Sequence, residues 1–320
     1  MKVVVTGASG VLGRALVPLL AKKHKVLAVT HKRKLAFSGV KVVQADLEQK
    51  SSLLSALRGA DAVVHLAAVL PYRALSPKQA WKINVEGTRN LVEACEQESV
   101  GKLVFASTVQ VYGVKSGTLP IDEFSSCSPR GTYSVSKYEA EKLLSKAGFE
   151  TVVLRVAMVY GPGTPSGGGV SRLLTLANRS PLLFAVDSPS LLNPVYLGDV
   201  ARAFDFAVSS SRLAGQVCNV AGPDAVSWPQ LVKMAGYASG KDLQLITAPK
   251  WVFSLAKRVS DPLYSLAGKR PLLSENQLLF LGSNQYFSCK KLAKLGFSPA
   301  TSLRQGLAET VSSTENKSVQ

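Results

Sequence analysis

The sequence predicts an α/β protein built on a doubly wound parallel sheet, and two observations carry the prediction. Short valine-rich runs, nearly free of charge, recur along the first half of the chain. Strands buried on both faces read in this way, as continuous apolar segments without alternation. Between the runs lie segments with helical spacing of apolar residues, as right-handed strand–helix–strand crossovers require. With 320 residues, 46% hydrophobic and 18% charged, the chain is long and apolar enough to bury a core, which excludes a fibrous or disordered polypeptide.

In chain order, strands are expected at residues 2–6, 25–30, 41–44, 62–66, 102–107 and 151–156, and helices at 11–23, 51–57, 81–96 and 133–146. Pro18 sits inside the first helical segment and removes a backbone donor, so a kink or rearranged turn is expected there. After Tyr160 comes GPGTPSGGG, a run of turn formers read as an exit from the sheet into a mobile loop of the kind that covers ligands. A helical segment at 199–208 and a strand-like run at 216–220 then bring the chain back. The expected organisation is a domain of residues 1–160, rejoined by 191–222. Residues 161–190 and 223–312 form a smaller, mostly helical substrate-binding cap, and 313–320 a frayed tail.

No stretch approaches the roughly 18 uncharged apolar residues that a membrane-spanning helix needs, and the opening MKVVVTGASG lacks the order of a secretory signal. A cytoplasmic protein is expected. Cys95, Cys127, Cys218 and Cys289 are scattered and His24, His31 and His65 lack ligand spacing, so neither a disulfide framework nor a metal site is indicated. Lys and Arg outnumber Asp and Glu by 38 to 21, a net +17, which suits an anionic partner or a general solubility field. The positive groups, such as Lys32 to Lys34 and Lys290 to Lys294, are short and separate and accompany no nucleic-acid-binding motif. Nucleic acid is therefore disfavoured as a partner.

The segment Thr6–Gly7–Ala8–Ser9–Gly10–Val11–Leu12–Gly13 places three glycines after a buried strand and at the mouth of a helix. Each has a task there: a tight turn, close backbone approach to a pyrophosphate, and close helix packing, with the phosphate on exposed N–H groups at the positive helix end. A dinucleotide fits this turn. The second strand ends Val29–Thr30–His31–Lys32–Arg33, without the carboxylate that accepts from the ribose hydroxyls of NAD, and with cations that grip a 2′-phosphate. NADP(H) is therefore favoured, with NAD(H) as the alternative.

At this point the chain resembles the extended short-chain dehydrogenase/reductase family, a Rossmann-type fold, over most of its length. TGASGVLG matches that family's TGxxGxxG turn. Asp46 and Leu47 resemble its acidic–hydrophobic pair beside the adenine, and His65, Leu66, Ala67 and Ala68 the segment lining the cofactor. Asn84 to Thr88 resemble its NVxGT signature, and Tyr133 to Lys137 its YxxxK motif. Later matches fall at 155–163, 195–203 and 295–299. The resemblance is nearer to the 3β-hydroxysteroid dehydrogenase and dihydroflavonol reductase members, and dimerisation through sheet-flanking helices is common among similar proteins.

The chemistry is also legible from the residues. Tyr133 and Lys137 are four apart on an expected helix, so an ammonium shares a face with a phenol and favours the phenolate, bringing it nearer to general acid–base work. Thr108, at the end of the fifth strand, would hydrogen-bond the substrate oxygen, with Ser107 taking its place if the strand ends one residue earlier. The resemblance implies that Lys137 also holds the nicotinamide ribose and that Asn84 supports a proton relay or local helix geometry. Arg155 is either a site residue or a structural ion-pair partner.

The expected activity is hydride transfer between nicotinamide and a secondary alcohol or ketone of a mostly apolar small molecule. The alternatives are a nucleotide-sugar epimerase or dehydratase with a retained cofactor, and a non-catalytic NAD(P)-sensing protein. Many of the nucleotide-sugar enzymes carry Asn and Arg where Met158 and Leu192 align here, which removes a donor and a charge for a diphosphate. Trp251, Val252, Phe253, Leu255, Leu263, Tyr264, Leu266, Leu272 and Leu273 are expected either to line an apolar pocket or to form cap core. Mixed with Lys257, Arg258, Lys269 and Arg270, the same segment also suits peripheral contact with an anionic membrane.

Overall fold

The computed structural model describes every residue except 34, 71–75, 116–118, 166–168, 267–274 and 319–320. The first half runs β1 (Lys2–Thr6), α1 (Val11–Ala21), β2 (Lys25–Thr30), β3 (Lys41–Gln44), α2 (Lys50–Leu57), β4 (Ala62–His65), α3 (Pro77–Trp81), α4 (Gly87–Gln97), β5 (Lys102–Thr108), α5 (Thr132–Leu144) and β6 (Glu150–Val156). Next come β7 (Val159–Tyr160), α6 (Gly169–Arg179), β8 (Leu182–Val186), β9 (Leu191–Leu192), β10 (Val195–Tyr196), α7 (Leu197–Ser209) and β11 (Val217–Val220). The chain closes with β12 (Val226–Ser227), α8 (Trp228–Ala238), β13 (Gln244–Ala248), α9 (Lys250–Leu266), α10 (Glu275–Phe280), α11 (Lys290–Lys294) and α12 (Leu303–Ser318).

Seven strands form one parallel sheet in the order β11–β6–β5–β4–β1–β2–β3. The chain leaves β1 outward through β2 and β3, then crosses back to place β4 on the other side of β1. Ligands of doubly wound sheets bind at such a reversal, beyond the carboxyl ends of the strands.

Alternation within β1 divides the core. Val3 and Val5 join a cluster with Leu16, Val17 and Leu20 of α1 and Phe204 of α7, whereas Val4 faces Leu53 and Leu57 of α2 and Leu91 of α4. A separate apolar cluster gathers Tyr160, Leu174 of α6, Leu231 and Ala235 of α8, and Leu303 and Leu307 of α12. Three short two-stranded sheets, β7–β10, β8–β13 and β9–β12, complete the second half.

One expectation is corrected here. Residues 81–96 are not one regular helix, because a π-helical turn at Lys82–Glu86 joins α3 to α4. Residues 313–318, read as part of a tail, fall within α12. Leu303, Leu307 and Val311, four apart, anchor α12 to the cluster around Tyr160, and a helix once nucleated extends at little cost through Ser318. Pro18 does not interrupt α1. It lies on the exposed side, where water can serve the carbonyl that its missing N–H leaves open. Part of the turn-rich run after Tyr160, residues 166–168, lies outside the described residues.

Candidate active site

The glycine turn has the form a dinucleotide needs. Gly7 has φ +70, and a Cβ there would lie 2.6 Å from the Ala67 nitrogen, against the backbone that follows β4. A Cβ on Gly13 would lie 2.6 Å from Ala8, so α1 approaches the turn as closely as it does only with hydrogen at that position. Gly10 begins α1 in extended conformation with no side-chain cap, its N–H held by the Gly7 carbonyl at 2.9 Å. The first N–H groups of α1, at Val11, Leu12 and Gly13, thus have no intrahelical partner and no capping side chain. Ser9 is half-buried, and its carbonyl accepts from Arg14 Nε at 3.2 Å.

His31, Lys32 and Arg33 follow β2 and are exposed. His31 Nε2 is 3.4 Å from Asp46 Oδ2, which brings the ends of β2 and β3 together. Lys32 and Arg33 form no ion pair with a described residue; Lys34 lies outside the described residues. Leu47 packs under Gly87, where a Cβ would sit 2.8 Å from its own, and its carbonyl accepts from Asn90 Nδ2 at 2.8 Å.

A buried relay stiffens the segment after β4. The Ala67 N–H points at Thr6 Oγ1 (3.4 Å), Thr6 Oγ1 meets His65 Nδ1 (2.7 Å), His65 Nε2 meets Thr88 Oγ1 (3.0 Å), and Thr88 Oγ1 donates to the Asn84 carbonyl (2.7 Å). Because the Thr88 proton goes to Asn84, its oxygen must accept from Nε2–H, and Nδ1 is then the acceptor for Thr6. The network assigns the neutral tautomer. Burial, reinforced by the Lys137 charge, lowers the His65 pKa from 6.5 to about 3. Asn84, in the π-helical turn, accepts from the Val69 N–H (2.7 Å) and donates to the Val69 carbonyl (3.1 Å) and Ser136 Oγ (3.0 Å). It ties the segment after β4, which includes Leu66, Ala67 and Ala68, to α5.

Thr108 is the last residue of β5, and its Oγ1 accepts from the Gln110 N–H at 3.2 Å. One lone pair is occupied while the hydroxyl proton stays available. Ser107 points elsewhere and donates to Glu141, so it does not replace Thr108. Tyr133 and Lys137 lie four apart in α5, which packs on β5 and on the 3-10 turn Val109–Tyr112. Tyr133 is half-buried and Lys137 is 2% exposed. The Lys137 ammonium stands 3.8 Å from the centre of the Phe105 ring, and burial lowers its pKa to about 7, a shift that Glu141 opposes. Arg155 is a structural partner: its Nη2 lies 2.7 Å from Glu141 Oε2, and both side chains are 7% exposed.

Sequence reasoning missed Phe105, which sits within β5 and carries no motif, and the side-chain role of Thr6, whose place in the glycine turn gave no sign of its bond to His65. Thr88 lay inside the NVEGT match, and its spacing of four from Asn84 was the available signal. The apolar segment at 251–266 does not form cap core as a whole. Trp251, Leu255, Leu263 and Leu266 are exposed, Val252, Phe253 and Tyr264 half-buried, since α9 turns its other face inward. Leu272, Leu273, Lys269 and Arg270 lie outside the described residues.

A glycine turn at the switch point, an open helix N-terminus and a Thr–Tyr–Lys set on β5 and α5 suit a nicotinamide-dinucleotide-dependent enzyme of the short-chain dehydrogenase/reductase kind. The residues fit the dinucleotide: a side chain at position 7 or 13 would fill the cradle. The chain belongs to the NAD dependent epimerase/dehydratase family, whose model matches residues 3–221. It is 28% identical over 296 residues to 3β-hydroxysteroid-dehydrogenase/decarboxylase isoform 1 of Arabidopsis thaliana, covering 86% of this chain and 66% of that protein. To the uncharacterized UDP-glucose epimerase YtcB of Bacillus subtilis it is 27% identical, with 97% of each chain covered. Among solved structures, the UDP-glucose 4-epimerase of Thermus thermophilus in complex with NAD superposes with TM-score 0.78 at 28% identity, over 98% of this chain and 99% of that one.

Proposed function

We propose that the chain is an NADP(H)-dependent oxidoreductase acting on a secondary alcohol or ketone of a mostly apolar small molecule. What supports the substrate class is that apolar residues stand at the two positions where a nucleotide diphosphate would need donors. Met158 rests its sulfur against Gly169, where a Cβ would meet it at 2.6 Å, and Leu192 is 1% exposed within the cap core. The adjacent Asn193 offers no substitute, since its side chain bonds the backbone of Gly222 and Phe287. The steroid named in the Arabidopsis relative is a substrate of this apolar class. For the coenzyme, Lys32 and Arg33 stand exposed and unpaired with described residues after β2, where a 2′-phosphate would meet them.

The nicotinamide, when bound, supplies or accepts the hydride. The residues of the chain handle the proton and the alignment. Thr108 donates its free hydroxyl proton to the substrate oxygen, and Tyr133 gives that oxygen its proton in reduction or takes it in oxidation. Lys137 biases the phenol through its charge and holds the ribose. Gly7 and the N–H groups of Val11, Leu12 and Gly13 receive the pyrophosphate, and Asn84 keeps the wall around Val69 in place.

The full-length likeness to UDP-glucose epimerases favours a second reading, a retained NAD that is only transiently reduced. An assay with apolar ketones should consume NADPH stoichiometrically, faster than NADH, and Arg33→Ala should narrow that preference. Interconversion of UDP-sugars without net coenzyme consumption would replace the oxidoreductase reading with the epimerase one.

A further inference from the structure

We propose that the outer face of α9 is a docking surface for an anionic phospholipid bilayer, a property independent of the reaction proposed above. A helix on a folded protein ordinarily turns its apolar stripe inward. In α9 the stripe points out: Trp251 is 65% exposed, Leu255 54%, Val259 62%, Leu263 63% and Leu266 86%. At 3.6 residues per turn these positions fall within an arc of about 120°. The opposite side carries the half-buried Phe253 and Tyr264, so the helix is already anchored to the protein and does not need the stripe for its own packing.

What selects the occupant is charge. Behind the stripe, on the inward side of the helix, runs a groove of about 510 Å³ between α9 and α10, bordered by Lys250, Lys257, Arg258, Asp261, Leu278 and Leu279. Its one carboxylate is taken by Lys257, and Lys250 reaches the Leu279 carbonyl at 2.9 Å. Arg258, on the edge of the stripe, is exposed and pairs with no described acid. An apolar ridge edged by an Arg unpaired among the described residues, on a chain of net charge +17, suits an interface in which side chains enter the acyl boundary while phosphates meet the cation. A second copy docking on the stripe would bring another chain of net charge +17 against the first. At 17 residues with charges along one side, α9 would lie on the bilayer, and no described helix is long and apolar enough to cross one.

The test is co-sedimentation of the full chain with vesicles of phosphatidylcholine alone or doped with phosphatidylglycerol. The protein should pellet with the doped vesicles and hardly with the neutral ones, less so as salt is raised. Leu255→Glu/Leu263→Glu should weaken partitioning about tenfold or more with its circular dichroism and coenzyme affinity unchanged, and Arg258→Glu should cost about fivefold, mainly the anionic preference. In a Trp81→Phe/Trp228→Phe background, Trp251 emission should shift to the blue on adding doped vesicles, a readout that survives if the glutamate variant misfolds. The proposal is overturned if neither binding nor a Trp251 shift occurs, if the glutamate variant folds and binds equally well, or if the face instead mediates a lipid-independent dimer that the variant dissociates.

Discussion

His65 shows how a single residue can serve a site without touching a ligand. It is wholly buried, and both ring nitrogens are engaged, one accepting from Thr6 and the other donating to Thr88. Protonation would turn the acceptor into a second donor with no base to receive it, in a place where charge is poorly solvated. The folded protein therefore keeps His65 neutral down to about pH 3, while the unfolded chain takes the proton near its ordinary 6.5. The sign follows: the unfolded state binds more protons in that window, so this contribution is complete above 6.5 and is lost as the pH falls toward 3. Denaturant midpoints for wild type and His65→Asn should lie furthest apart near neutrality and converge on acidification. At Tyr133 the readout is different, because the phenol is placed to move a proton. Tyr133→Phe should lower kcat by about 10²–10⁴-fold and leave coenzyme affinity, measured by fluorescence titration, nearly unchanged. Undiminished turnover would remove Tyr133 from the mechanism.

At the scale of elements, the β1–α1 turn is where sequence and structure agree most closely, since its glycines answer a backbone requirement that spacing alone reveals. The strands were equally legible, because burial on both faces permits little besides Val, Leu, Ile and Ala in runs such as VVV of β1 and AVVH of β4. The π-helical turn before α4 was not, because its stabilisation comes from contacts of Asn84 with Val69 and Ser136, 15 and 52 residues away in sequence. The direction of α9 was equally hidden, since periodicity shows that a helix has an apolar stripe but not whether the protein covers it. The turn itself supplies a prediction. Gly7→Ala must adopt a left-handed φ and also displace the Leu66–Ala67 backbone, so it should cost more than the roughly 1–3 kcal/mol of backbone strain and sharply weaken coenzyme binding. Gly59→Ala is the control, with φ +65 but nothing within 4 Å of the added carbon. It should show the strain alone, with coenzyme affinity intact.

Across the whole molecule, the catalytic helix is fixed to the sheet and to the C-terminal segment by one buried polar network. Glu141 of α5 takes the Arg155 guanidinium of β6 through Nε and Nη2 and also accepts from Ser107 of β5. Arg155 lies 4.8 Å from the centre of the Tyr112 ring, Tyr112 donates to Asn219 of β11 at 2.8 Å, and Asn219 Nδ2 reaches the carbonyl oxygens of Ile121 and Ser288. Such a pair need not add net stability, because desolvating two charges cancels much of their attraction, but breaking it on one side leaves an unpaired charge in the interior. Arg155→Met should therefore cost about 3–5 kcal/mol in chemical denaturation. Arg155→Met/Glu141→Leu, which removes both charges, should recover most of that loss. The two variants should separate again in activity, since α5 carries Tyr133 and Lys137 and Glu141 opposes the fall of the Lys137 pKa from one turn away. In the double variant that opposition is gone, and the Lys137 ammonium should be lost at lower pH than in wild type, moving the alkaline limb of the rate profile down. A double variant as unstable as the single one, with an unmoved profile, would show that the network acts by packing and not by charge.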